Sequence, residues 1–255
     1  MIRKKLAERN EAYLQWLMTL VGGFLGTFAI TQHAGIFASA QTGNVMEIAV
    51  ELVSLKTGMI GYRLLAVLIF ATGIVLAYIL TNYTKLNMRK LALWVDAFGL
   101  LASSLLPLES VFIGTYPIFF CSAFQWGVYS AADGFNSSSI FTTNNFKQCL
   151  IGWTQYVLTK DRVFRKKAVM YTNSVICFVL GCLLGVWSVN TFAASGAYVA
   201  FLPLLGARVI IGLCESVPEN ETPEEIEEEA AEEEEEAVLL EEDAQMEDHK
   251  EEETK

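Results

Sequence analysis

Long apolar runs separated by short polar connections set the pattern of this chain. Five runs, at 13–31, 60–81, 113–132, 168–189 and 196–214, are each long enough to cross ~30 Å of hydrocarbon as a helix of ~20 residues. A sixth, 91–106, is shorter but lies between Arg89-Lys90 and Pro107, and counts as a span. Ala38-Ser39-Ala40 imitates a signal-peptidase site, but the apolar run before it is too long for a leader and further spans follow, so the first span is expected to be retained. The expected fold class is an all-α membrane protein with six transmembrane helices.

Two polar stretches interrupt this pattern. The first is Gly35-Ile36-Phe37-Ala38-Ser39-Ala40-Gln41-Thr42-Gly43-Asn44, followed by a short apolar helix over 45–55. The second is Phe135-Asn136-Ser137-Ser138-Ser139-Ile140-Phe141-Thr142-Thr143-Asn144-Asn145, followed by a helix over 146–158. Ten extended residues reach ~33 Å, and a half-helix of ~12 residues climbs ~18 Å, so each stretch can dip to mid-membrane and return. Backbone of this kind is tolerated at that depth only under cover of protein or beside water. The chain therefore reads as two copies of one frame, 13–106 with a re-entrant loop at 33–56 and 112–214 with a re-entrant loop at 133–158. Each copy has three spans, an odd number, so the second is inverted, as in many secondary transporters.

Charge orients the frame. Of the 29 acidic residues, 21 lie in 215–255 beside Lys250 and Lys255, a local net charge of −19, while the remainder carries 16 basic and 8 acidic residues, +8. The basic segment 1–12, the connection 82–90 with Lys85, Arg89 and Lys90, and the connection 133–167 with six basic residues all fall on one side by the positive-inside rule. The prediction is a multi-pass plasma-membrane protein with both termini cytoplasmic. The glutamate-rich tail 215–255 cannot bury enough surface to fold alone and is expected to be disordered.

Chemistry is sparse. The five cysteines lack C-x-x-C spacing and sit mostly in apolar runs, so they read as small buried hydrophobes. Two histidines cannot build a histidine metal site, no nucleophile–base set is in evidence, and neither an enzyme nor a cofactor or metal is expected. Nor does anything point to nucleic acid. Asn44-x-x-Glu47 and Asn145-x-x-Gln148 have capping-box spacing, which makes each asparagine an N-cap. That role alone can account for them. The alternative is that both half-helices begin near the midplane with positive dipole ends facing one centre suited to a small polar or anionic solute. On that reading the candidate substrate site is Gln41, Thr42, Gly43, Asn44, Glu47, Thr143, Asn144, Asn145 and Gln148. Asp96 and Arg208 are intramembrane charges at depths of ~10 Å by helix rise; they either pair or snorkel to the interface. Gly22-x-x-x-Gly26 and Gly181-x-x-x-Gly185 permit close helix approach, within the chain or in a homo-oligomer.

Residues 37–45, with Gly23-Phe24 before them, closely resemble the first loop of the YoaK family, bacterial six-span membrane proteins grouped as a domain of unknown function. Phe124-Gln125-Trp126-Gly127 and Thr143-Asn144-Asn145 resemble its second half more loosely. The resemblance covers 13–214 and implies a six-span plasma-membrane protein. It supplies no substrate, and Gly26-Thr27 stands where family members often carry an acid. The leading expectation is a secondary transporter or facilitator with the bilayer as its surroundings. The second is a non-transporting scaffold or sensor whose acidic tail recruits a partner.

Overall fold

The computed structural model describes residues 2–32, 41–55, 57–106, 111–132 and 134–215. The first loop up to Ala40, Asp133 and the acidic segment beyond Glu215 lie outside the described residues. The elements in order are α1 (Ile2–Gln32), α2 (Gln41–Val53), a 3-10 turn (Thr57–Met59), α3 (Ile60–Tyr83), α4 (Met88–Leu105), α5 (Val111–Val128), α6 (Thr143–Thr159), α7 (Arg162–Phe192), a 3-10 segment (Ala193–Ala200) and α8 (Phe201–Glu215). No strand occurs among the described residues, and the protein is all-α.

Among the described residues, three stretches are long and apolar enough to cross a membrane: Arg9–Gln32, Ile60–Tyr83 and Arg162–Glu215. The last is not one rod. Ala193 takes a positive φ of 52° and breaks the helix, and Gly196 then packs on the Ser188 backbone. A Cβ at Gly196 would lie 2.6 Å from the Ser188 carbonyl, so only glycine lets the chain fold back here. The stretch is a hairpin whose second arm, α8, packs on α1 and α4. The expected spans over 91–106 and 113–132 are the helices α4 and α5, each of 18 residues. α4 carries three charges, Arg89, Lys90 and Asp96.

On α3 and α7 many large apolar residues face outward, and small residues make up much of the buried face. On α3 the buried positions are Ala66, Phe70, Gly73 and Ala77, while Leu64, Leu65, Leu68, Val75 and Ile79 are exposed. On α7 Ser174, Gly181, Gly185 and Ser188 are buried, and Ile176, Leu180, Leu183 and Trp187 are exposed. Apolar surface of this extent calls for an apolar surrounding.

The central helix is α1, with Met18, Val21, Phe24, Leu25 and Phe28 fully buried. It packs chiefly on α7, then on α8 and α5, while α5 packs on α3 and α4. Small residues set the crossings: a Cβ at Gly181 would lie 2.0 Å from the Leu20 carbonyl, and one at Gly73 would lie 2.8 Å from the Phe120 carbonyl. Gly181 and Gly185 therefore serve the α1–α7 crossing within the chain, where the Thr27 hydroxyl also donates to the Cys182 carbonyl (3.1 Å). One end of the bundle gathers charges from distant segments. Arg89 pairs with Glu11 (2.7 Å), Lys90 with Glu215 (2.7 Å), and the Tyr129 hydroxyl donates to the Arg89 carbonyl. At the opposite end, the Tyr116 hydroxyl donates to the Tyr62 carbonyl and the Ser103 hydroxyl to that of Gly114.

Candidate functional site

Both half-helices form, and both begin a turn earlier than capping statistics suggest. α2 starts at Gln41 and α6 at Thr143, so Asn44 and Asn145 lie inside their helices rather than at the caps. The capping-box reading is therefore wrong for both. Thr142 is the residue preceding α6 and makes no side-chain cap. Asn145 is fully buried and turned toward the preceding loop: its Oδ1 accepts from the Ser138 amide (3.3 Å) and the Ser137 hydroxyl (3.4 Å), and its Nδ2 donates to the Ser138 carbonyl (2.8 Å). Tertiary bonds of this number outweigh one local cap. Asn44 is likewise buried, and its Nδ2 donates to Gln41 Oε1 (3.3 Å). Glu47 does not reach back to its helix start. It is exposed and pairs with Arg63 (3.1 Å), as does Glu51 (2.9 Å), so Arg63 clamps α2 onto α3. The Glu51 side chain is largely buried in that clamp.

Of the nine candidate substrate residues, Asn44 and Asn145 are buried, Gln41 and Gln148 are half-buried, and Thr42, Gly43, Glu47, Thr143 and Asn144 are exposed. α2 packs on α3 and its preceding turn, α6 on α7. Among the described residues Asn44 and Asn145 share no hydrogen bond.

The second loop carries the polar interior of the bundle. It penetrates to the middle of α1: a Cβ on Gly22 would lie 2.1 Å from the Ser139 carbonyl. Gly22 is thirteen residues from Arg9 and ten from Gln32, the ends of the apolar stretch, or ~20 and ~15 Å by helix rise. Around this contact, Gln15 Nε2 donates to the Ser137 carbonyl (2.5 Å), Gln125 Nε2 to the Met18 carbonyl (2.8 Å), and Tyr171 to the Asn136 carbonyl (2.8 Å). The Ser137 and Ser174 hydroxyls share a bond of 3.1 Å. Several buried polar atoms here have no hydrogen-bond partner among the described residues: Ser122 Oγ, Gln125 Oε1, Ser139 Oγ and Thr142 Oγ1. Ser122 and Gln125 lie one turn apart on α5, and Gln125 reaches Met18, one turn from Gly22 on α1. Unspent bonding capacity of this kind, buried, marks a place for a polar ligand or water.

Asp96 lies close to the same region. Its side chain is fully buried near the midpoint of α4, and neither carboxyl oxygen has a hydrogen-bond partner among the described residues. Among the described residues, Cys121 of α5 and Tyr129, just beyond the end of α5, lie within its electrostatic reach. Asp96 and Arg208 do not pair. Arg208 is exposed and runs along α8, its Nη1 3.6 Å from the Cβ position at Gly212, while the aspartate stays inside.

Sequence reasoning missed Gln15, Ser122, Gln125 and Ser174. Their signal was available, as amide and hydroxyl side chains embedded in apolar runs. The profile of the DUF1275 family, proteins of unknown function, matches residues 14–211. The chain belongs to that family. The match spans α1 through most of α8 and so includes both half-helices of this DUF1275 protein, in keeping with its resemblance to the YoaK family. No curated protein and no solved structure matches the chain.

Proposed function

We propose that this DUF1275 protein is an integral membrane transporter or facilitator for a small polar solute. The observation that carries the reading is the second loop. Irregular backbone reaches the middle of the central helix, and around it lie buried hydroxyl and amide groups with bonding capacity to spare. In hydrocarbon such backbone persists only under cover of protein or beside a wet cavity, and the spare bonding capacity around this loop favours the second. The solute sits among Ser122, Gln125 and Ser139, which offer neutral donors and acceptors and no cation. Asp96 is the group that carries a proton or a coupling cation. A carboxylate left unpaired in an apolar interior costs several kcal/mol, so a mid-helix acid without a partner points to a role beyond packing.

The inverted-repeat architecture is supported by equivalent packing. Setting α1-α2-α3-α4 against α5-α6-α7-α8, α1 on α7 answers to α5 on α3, α2 on α3 to α6 on α7, and α8 on α1 to α4 on α5. Asn44 and Asn145, both buried, fall at matching places in the two half-helices. The six-span orientation with cytoplasmic termini draws support from the shared charged end, where Glu11, Arg89 and Glu215 meet.

A thermal-shift screen of polar metabolites on the detergent-purified protein tests the proposal. A true ligand stabilises the wild type and loses its effect in Gln125→Ala and Ser139→Ala. Stabilisation that survives both substitutions overturns the site, and uptake into proteoliposomes that ignores Asp96→Asn overturns the coupling role.

A further inference from the structure

The outer surface between α4 and α8 holds a cleft of about 320 Å³. Its floor is apolar and buried, with Leu93 at 7% exposure, and its rim is apolar and open, with Trp94 at 63% and Leu205 at 64%. Ala97, small and half-buried, leaves the width of the groove free. Two cations, Lys90 and Arg208, line the same cleft. Lys90 belongs to the charged end of the bundle, and Arg208 extends toward that end over Gly212. Glu215 pairs with Lys90, but Arg208 has no ion pair among the described residues, so the cluster keeps a net charge of +1.

We propose that this cleft binds an anionic phospholipid, its phosphate on Lys90 and Arg208 and an acyl chain along Leu93, Ala97 and Leu205. The chemistry is complementary at both ends. An apolar channel that opens sideways takes an alkyl chain, and paired cations at its polar end take a phosphate; basic pockets between spans on the cytoplasmic side bind such headgroups. From Lys90 to Ala97 the groove follows α4 for ~10 Å, the upper part of one acyl chain, with the Trp94 indole beside it in the interfacial belt. An apolar partner alone would cover the rim, whereas a phospholipid covers it and also meets the net positive charge of Lys90, Arg208 and Glu215. The proposal rests on bilayer placement, not on solute transport.

The test compares phosphatidylglycerol with phosphatidylcholine on the detergent-purified full chain, reading Tm and, by native mass spectrometry, the lipids retained. In the wild type, phosphatidylglycerol raises Tm by several degrees more than phosphatidylcholine, and one phosphatidylglycerol stays bound. The Lys90→Gln/Arg208→Gln double variant loses that discrimination. Ala97→Phe, which fills the groove and keeps both cations, loses the retained lipid as well. Equal effects of the two lipids on the wild type mean that a second copy, or the acidic segment beyond Glu215, takes the groove, and overturn the proposal, as does discrimination that persists in the double variant. A carbonate wash of native membranes separates the two readings. A chain released by carbonate overturns bilayer placement together with the lipid site; a chain that resists it but shows no discrimination overturns the lipid site alone.

Discussion

At Gly22 a single hydrogen atom in place of a methyl group lets the loop reach the centre of the bundle. The obstacle to any larger residue is backbone on both sides, with the Ser139 carbonyl carbon at 2.9 Å and the Ile140 Cα at 3.1 Å from a Cβ, so no side-chain rotation relieves it. Gly22→Ala is expected to cost about 1–3 kcal/mol as overpacking and to lower Tm in detergent accordingly. Gly43 is the contrasting case. It belongs to the most recognisable motif in the chain, yet a Cβ there meets nothing within 4 Å, and the residue lies inside α2. Gly43→Ala is expected to leave Tm unchanged or raise it, since alanine favours a helix by about 1 kcal/mol. A large loss on Gly43→Ala would show that the motif faces something the geometry does not reveal. Asn144 and Asn145 divide in the same way: Asn145→Ala abandons buried partners on Ser137 and Ser138 and should cost about 2–3 kcal/mol, whereas exposed Asn144→Ala should stay within about 0.5 kcal/mol. Equal effects of the two in a thermal melt would refute the loop-bracing role of Asn145.

The elements explain which parts of this were legible beforehand. Run length located α3 to within two residues of its end, because a helix facing an apolar surrounding has little besides its polar termini to limit it. The half-helix starts were misread by a turn. Asn at the head of an apolar run has a strong local meaning as a cap, but Asn145 spends its side chain on a loop that local spacing cannot see. The sequence left open whether Asp96 pairs with Arg208, for a related reason. Helix rise sets depth but not azimuth; on α4 the aspartate faces α5, while Trp94 and Ala97 share the outer groove with Arg208. Gly181-x-x-x-Gly185 was read as permissive without a partner, and the α1–α7 crossing supplies one, whereas Gly22 meets the second loop. Gly181→Ala sets a Cβ against the Leu20 backbone and should unfold the crossing, whereas Gly206→Ala meets only the movable Leu17 side chain at 3.2 Å and should be tolerated. Circular dichroism melts of the two variants decide whether backbone contact is the relevant constraint.

For the whole molecule, the ion pairs at the charged end matter as markers of topology more than as sources of stability. Glu11–Arg89 and Lys90–Glu215 are partly exposed, and such pairs contribute about 0–1 kcal/mol each. What they establish is that the N-terminal part of α1, the start of α4 and the end of α8 share one face of the bundle. The Arg63 clamp to Glu47 and Glu51 stands at the start of α3, a full helix of 24 residues, ~36 Å by rise, from the turn that leads into α4. Single cysteines at Glu11, Arg89 and Glu215, in a background with the five native cysteines replaced, should therefore react with an impermeant maleimide from the cytoplasmic side only. A cysteine at Glu47, the exposed member of the clamp, should react from the outside only. Labelling of Glu47→Cys and Arg89→Cys from the same side would mean that α3 does not cross the bilayer. The inverted pairing of the two halves would fall with it, because α3 on α5 and α7 on α1 are equivalent only if both helices cross.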